Sequence, residues 1–190
     1  MKENKVALVV VDPQIDFFPG GALGAPKAGQ IIKPVNTLLN KGIKNSWGIF
    51  ISRELHDLQT KEHFNVHGTH CVIGSPGAEI HPEINTQGAV FINKGTGPDD
   101  HYYSSLKGKD EKGKTLEELL AEFGIVAVMG LVLEYCVGDT AIDIKKLGKE
   151  TIIINDATAP LTDKDKEKRS ELRKLGIMIL STKTFLKRYC

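Results

Sequence analysis

The stretch Ile125-Val126-Ala127-Val128-Met129-Gly130-Leu131-Val132-Leu133-Glu134-Tyr135-Cys136-Val137 decides the fold. Its first five residues form a continuous apolar run of strand length, rich in β-branched side chains and closed by Gly130, the pattern of a buried strand. Beyond Cys136, the positions Val137, Thr140, Ala141, Ile144 and Leu147 recur three and four apart until Gly148 supplies a stop, which predicts an amphipathic helix. A cysteine is thereby set where a strand gives way to a helix. Unpaired N–H groups and the positive end of the helix dipole favour a thiolate there, so the Cys136 pKa is expected below its free value of about 8.5. A lone cysteine in such a place is more often an inert core thiol. Residues elsewhere in the chain decide between the two.

Two other apolar runs end in charges. Val6-Ala7-Leu8-Val9-Val10-Val11 delivers Asp12, and Ala89-Val90-Phe91-Ile92-Asn93 delivers Lys94. In an open parallel sheet the carboxyl ends of the strands line one crevice, so Asp12, Lys94 and Cys136 are expected to meet. The rest of the chain keeps the alternation. Ile31, Val35, Leu38 and Leu39 make a helical stripe before Gly42, and Trp47-Gly48-Ile49-Phe50-Ile51-Ser52 reads as a second strand. Leu116, Leu119, Leu120 and Phe123 make another stripe, Thr151-Ile152-Ile153-Ile154-Asn155 another buried strand, and a charged helix over 162–175 precedes the strand Ile177-Met178-Ile179-Leu180. The pattern predicts a three-layer α/β fold, a mostly parallel open sheet flanked by helices and Rossmann-like in plan. No internal repeat or low-complexity linker interrupts residues 1–190, so one domain is expected.

Composition excludes some classes of function. Twenty-five Lys and Arg against 24 Asp and Glu leave a net charge of +1, so nothing points to nucleic acid or to an anionic membrane. The run from Asp163 to Arg169 alternates in sign and reads as a solvated helix face. Three cysteines at irregular spacing make no disulfide framework. Only six apolar residues separate Lys5 from Asp12, too few for a signal segment or a membrane span. A cytoplasmic location is expected.

Residues 54–88 break the rhythm and hold five of the six histidines. Long segments of this kind inside compact domains are usually functional. Glu54, His56, His63 and His70 supply one carboxylate and three imidazoles, a set suited to zinc and other borderline divalent ions. Glu54 and His56 alternate in an extended segment and can face one side. Taken singly, each histidine could equally be a surface residue; His67, His81 and His101 are read as surface or supporting residues, with His81 beside Pro82 structural.

The segments Val11-Asp12-Pro13-Gln14-Ile15-Asp16-Phe17-Phe18, Asn93-Lys94-Gly95 and Gly130 to Val137 resemble, in order and spacing, the signature regions of the isochorismatase-like cysteine hydrolases. The stretch His70-Cys71-Val72-Ile73-Gly74-Ser75-Pro76-Gly77-Ala78-Glu79-Ile80-His81-Pro82 resembles the nicotinamidase/pyrazinamidase group within that superfamily. The resemblance implies hydrolysis of nicotinamide, or pyrazinamide, to the acid and ammonia through an acyl-thioester on Cys136. Asp12 would be the general base and Lys94 its balancing cation, with the backbone N–H groups of Val132 and Cys136 holding the oxyanion. A cis peptide between Leu131 and Val132 would aim the second donor. A divalent metal, zinc or else iron or manganese, would sit on Glu54, His56, His63 and His70 and coordinate the pyridine nitrogen. Phe17, His67 and Tyr103, with Tyr102 as a further candidate, would contact the substrate, and homo-oligomers are common in the family.

Two parts of the site, the metal ligands and the pocket wall, depart from the family pattern. Glu54 stands where aspartate is usual, one methylene longer, and His56 and His63 are one residue further apart than is usual. His67 stands where tryptophan is frequent. Three other readings share parts of the sequence. A relative acting on a carbamoyl or ureido amide would need Asp12, Lys94 and Cys136 but not the histidines. A nucleotide-binding or regulatory α/β module is disfavoured by Asp12-Pro13-Gln14 where a glycine-rich turn would stand. A thiol redox protein would want a C-x-x-C pair, which the chain lacks.

Overall fold

The protein, as a computed structural model describing residues 5–97, 103–163 and 165–190, is built on six parallel strands. These are β1 (Val6–Val11), β2 (Gly48–Glu54), β3 (Val90–Lys94), β4 (Ile125–Leu131), β5 (Glu150–Ala159) and β6 (Met178–Leu180). Their order is β3-β2-β1-β4-β5-β6, and each pairs parallel with its neighbour. Helices α1 (Ile32–Lys44), α2 (Lys61–His67), α3 (Leu116–Leu119), α4 (Gly138–Lys146), α5 (Asp165–Lys174) and α6 (Thr182–Tyr189) complete the main elements.

The continuous apolar runs are buried on both faces because helices cover both. Leu8, Val10, Ala127 and Met129 point to one side and pack with Val35, Leu38 and Leu39 of α1 and Phe185 of α6. Val9, Val11, Val126 and Val128 point to the other, against Leu116 of α3, Ala141 and Ile144 of α4 and Leu172 of α5. Each such aliphatic side chain withdrawn from water contributes about 1.5–3 kcal/mol. This is the three-layer arrangement expected from the strand–helix alternation.

The sheet also fixes where a site can form. Strand order reverses between β1 and β4, which pair as far as Val11 and Gly130, and the crevice of such a sheet opens at the carboxyl ends there. Gly130 has φ 118° and a Cβ built on it would lie 2.2 Å from the Val11 carbonyl oxygen. Only glycine lets the two strands close together at that point.

Several boundaries differ from the sequence expectation. Gly42 does not stop its helix: α1 continues to Lys44, and the missing side chain lets the helix lie against Leu8. β2 runs on to Glu54 and β5 to Ala159, because neighbouring strands continue to pair with them. Helix α2 lies inside the segment read as a long loop. Helix α6, absent from the sequence reading, is capped by Ser181, whose hydroxyl accepts from the Thr184 N–H. Residues Leu133–Val137 form a π-helical turn in which the Val137 N–H donates to the Val132 carbonyl, so α4 begins only at Gly138. No helix among the described residues is long and apolar enough to cross a membrane.

Candidate active site

The three strand-borne groups meet as expected. Asp12 leaves β1 with φ 47° and is fully buried. Lys94, the last residue of β3, places its Nζ 2.9 Å from Asp12 Oδ2 and 3.5 Å from Cys136 Sγ. Ser52 of β2, which the sequence reading passed over, holds the carboxylate from the far side. Its hydroxyl donates to Asp12 Oδ1 at 2.6 Å and accepts the Asp12 N–H at 3.1 Å. The Ser105 hydroxyl donates to Ser52 in turn, and the Ser105 N–H donates to Thr140 of α4. The one sequence signal for Ser52 is a hydroxyl at the end of the apolar run of β2.

The thiol does not have the lowered pKa expected from sequence. Burial pushes Cys136 well above the usual thiol range; Lys94 pulls down, while Asp12 and Glu54 push up further. The π-helical turn sets Cys136 ahead of the start of α4, and burial is the largest cause of the rise. Burial also raises the Asp12 carboxyl, against the opposing pull of Lys94. Lys94 is held well above its ordinary range: burial lowers it, but Asp12, Cys136 and Glu54 together prevail. The resting arrangement is thus a neutral thiol within 4.8 Å of Asp12, a carboxylate of raised basicity.

Beside these groups lies the histidine cluster. Glu54, His56, His63 and His70 are buried, and each offers one donor atom within 4.8 Å of the others. The imidazoles are oriented by the backbone: His56 Nδ1 lies 3.2 Å from the Gly95 carbonyl oxygen and His70 Nδ1 lies 2.8 Å from that of Gly68. Donation by each Nδ1–H leaves the Nε2 lone pair facing inward, as ligating histidines are held. His56 Nε2 is buried without a hydrogen bond. His63 and His70 Nε2 are 3.4 Å apart, and His56 Nε2 is 3.4 Å from Glu54 Oε1. Ligands about 2.0–2.1 Å from a tetrahedral zinc are about 3.3 Å from one another, so the residues fit such an ion. Charge agrees, because one ammonium, Lys94, faces two buried carboxylates, Asp12 and Glu54.

The longer Glu54 side chain serves two groups. Its Oε1 is 3.4 Å from Lys94 Nζ and its Oε2 is 3.7 Å from His70 Nε2. Burial raises its carboxyl, but Lys94, His56 and His70 together bring it well below the usual range. His63, whose spacing departs from the family pattern, joins the cluster because α2 carries it there.

A cavity of about 220 Å³ joins the two sets of residues. Phe17, Glu54, His63, His67, His70, Tyr103, Val132 and Cys136 line it, and so do Leu23, Val66, Tyr135 and Leu161, which the sequence reading missed. His67 Nε2 and the Tyr103 hydroxyl share a hydrogen bond of 3.0 Å, and Tyr103 packs on Tyr135 with ring centroids 5.1 Å apart. The Leu131–Val132 peptide is cis. His81 packs on Phe18 outside the cavity. Tyr102 and His101 lie outside the described residues. A larger, open groove of about 820 Å³ between α1, α6 and the end of β5 contains none of these residues.

Comparisons with known proteins agree with this geometry. The isochorismatase domain family matches residues 6–184. The nicotinamidase/pyrazinamidase of Mycobacterium tuberculosis is 31% identical over 166 residues, spanning 80% of this chain and 86% of that protein. The structure of a Pyrococcus horikoshii pyrazinamidase in complex with zinc superposes with TM-score 0.82 at 34% identity, over 93% of this chain and 99% of that one. PnC1 of L. infantum, in complex with nicotinate, superposes with TM-score 0.78 at 27% identity, over 95% and 94%.

Proposed function

The chain belongs to the isochorismatase family, and on that premise we propose that it is a metal-dependent cysteine amidohydrolase converting nicotinamide, and pyrazinamide, to the corresponding acid and ammonia. The observation that carries the reading is the shared cavity, with Cys136 on one side and Glu54, His63 and His70 on the other. A relative acting on a ureido amide would have no use for that second wall. At about 220 Å³ the cavity suits a single ring bearing an amide, below the roughly 300–1,000 Å³ of pockets for larger ligands.

Asp12 accepts the thiol proton as Cys136 Sγ attacks the carboxamide carbon, and Lys94 keeps Asp12 in place with its charge balanced. The Val132 and Cys136 N–H groups receive the developing oxyanion. When the C–N bond breaks, Asp12 returns the proton to the departing ammonia, leaving an acyl-thioester on Cys136. Asp12 then takes a proton from water as it attacks the thioester, which releases the acid and restores the thiol. Glu54, His56, His63 and His70 would hold a divalent ion, zinc in our reading, which supplies a Lewis-acid anchor for the ring nitrogen and so orients the amide. Phe17, His67 and Tyr103 line the ring site. Three free cysteines suit a reducing, cytoplasmic setting.

The test compares nicotinamide with benzamide, which lacks the ring nitrogen, with and without chelator. Chelation should reduce nicotinamide hydrolysis far more than it reduces alkylation of Cys136 by iodoacetamide, and benzamide should be a poor substrate throughout. Equal rates on the two amides, or full activity in metal-free protein, would move the chain to the carbamoyl or ureido amidohydrolases.

A further inference from the structure

The loop that leaves β1 carries more than Asp12. Gln14 is fully buried, and its carboxamide is spent entirely on backbone. Nε2 donates to the Glu54 carbonyl at 2.7 Å and to the Ala78 carbonyl at 2.8 Å, while Oε1 accepts the Glu54 N–H at 2.8 Å. The reason is a gap in the sheet. β1 turns away at Asp12 while β2 continues to Glu54, so the β2 backbone outlives its neighbour on that side. The Gln14 amide takes the place of the absent strand and fixes Glu54 at both main-chain groups.

Asp16, two residues on, does the corresponding thing for the other end of the cluster. Its Oδ2 accepts the Cys71 N–H at 2.7 Å, directly after His70, where Cys71 has φ 45°. Its Oδ1 accepts the Ala22 N–H at 3.2 Å. Room for this carboxylate exists because residue 77 is glycine: a Cβ there would lie 2.2 Å from Asp16 Oδ1.

We infer that Gln14 and Asp16 are positioning residues for the metal site, Gln14 setting Glu54 and Asp16 setting His70 through the His70–Cys71 peptide. The inference rests on the metal reading proposed above. Neither side chain needs to touch the ion. Gln14 holds the edge of Glu54 that β1 leaves unpaired, the other edge being paired with β3, and Asp16 holds the backbone after His70; both do so from the loop that bears Asp12, so base and ligand set share one frame. Supporting groups of this kind are worth about 10–100-fold in metal affinity.

The experiment loads the full-length protein and its Gln14→Met, Asp16→Ala, Asp16→Asn and Gly77→Ala variants with Co(II), reading the visible d–d spectrum and the affinity by chelator competition. Thermal unfolding of the metal-free proteins is followed alongside. Gln14→Met and Asp16→Ala should lose affinity by about 10-fold or more and change the Co(II) spectrum. Asp16→Asn, which keeps one acceptor oxygen, should recover part of the loss, and Gly77→Ala, which displaces the carboxylate, should resemble Asp16→Ala. Folded variants with wild-type affinity and spectrum would overturn the inference while leaving the metal reading intact. A wild-type protein that takes up neither Co(II) nor Zn(II) would overturn both. If Gln14→Met does not fold, the Asp16 series decides.

Discussion

Asp12, Lys94 and Cys136 are carried by the central sheet, whereas His63 and His70 are carried by a segment outside it; the difference lies in what completes each region. The first group is held at the ends of β1 and β3 and in the turn that follows β4, and by the Ser52 and Ser105 hydroxyls. The histidine cluster hangs on α2, two backbone carbonyls and two side chains of the β1 loop, and keeps a buried imidazole nitrogen without a partner. Closely neighbouring sites can thus differ in kind. One is closed by the fold's own hydrogen bonds and ion pair, and the other gathers donor atoms that could hold a metal ion.

The largest effect that would separate the regions is expected at the thiol. Cys136→Ala should lower turnover by about 10⁴-fold or more while leaving Co(II) uptake and thermal unfolding near wild type, because the side chain makes no bond to the histidines. Near-normal amidase activity in the folded variant would break the comparison. Since burial raises the Cys136 pKa, iodoacetamide labelling should keep climbing as the pH rises past the usual thiol range, and Cys71, fully buried and away from the cavity, should label later. Simultaneous labelling of the two would show that Cys136 is not distinguished by its site.

Lys94 touches both regions, pairing with Asp12 and with Glu54. Lys94→Met leaves Asp12 and Glu54 buried without their ammonium, a change of the kind that costs about 3–5 kcal/mol. The loss should appear as a lowered melting temperature in metal-free protein, and zinc should restore part of it by taking over the Glu54 charge. A variant that melts like the wild type would mean that the carboxylates are already protonated.

The smallest expected effect sharpens the comparison within the cluster. In metal-free protein, burial and the neighbouring imidazoles lower the His63 pKa from its ordinary 6.5 to about 4. Burial also acts to lower His70, but Glu54 prevails and raises it. As the pH falls from 6.5 toward 4, the unfolded chain protonates at His63 and the folded one does not, so this residue withdraws stability from the folded state. His70 works oppositely: its contribution is fully present below 6.5 and is lost as the pH rises through its raised folded pKa. Imidazole NMR titration of the metal-free protein should find His70 charged and His63 neutral near pH 6. Two rings titrating together would contradict the arrangement.

The apolar runs and their spacing were sufficient to place the strands, the flanking helices other than α6, and the segments after them that bear Asp12, Lys94 and Cys136, because a buried parallel strand and an amphipathic helix each write a local pattern into the chain. The four-member set Glu54, His56, His63 and His70 was legible through residue type and through the family resemblance. What stayed hidden was decided across the fold. The raised Cys136 pKa follows from complete burial beside two carboxylates, and desolvation belongs to the packed interior and to no segment alone. Helix α2, which brings His63 to the cluster, carries too short a pattern to stand out. The tasks of Ser52, Gln14 and Asp16 arise from backbone and carboxylate groups 40 to 64 residues away, which only the closed sheet and its loops bring within hydrogen-bond reach.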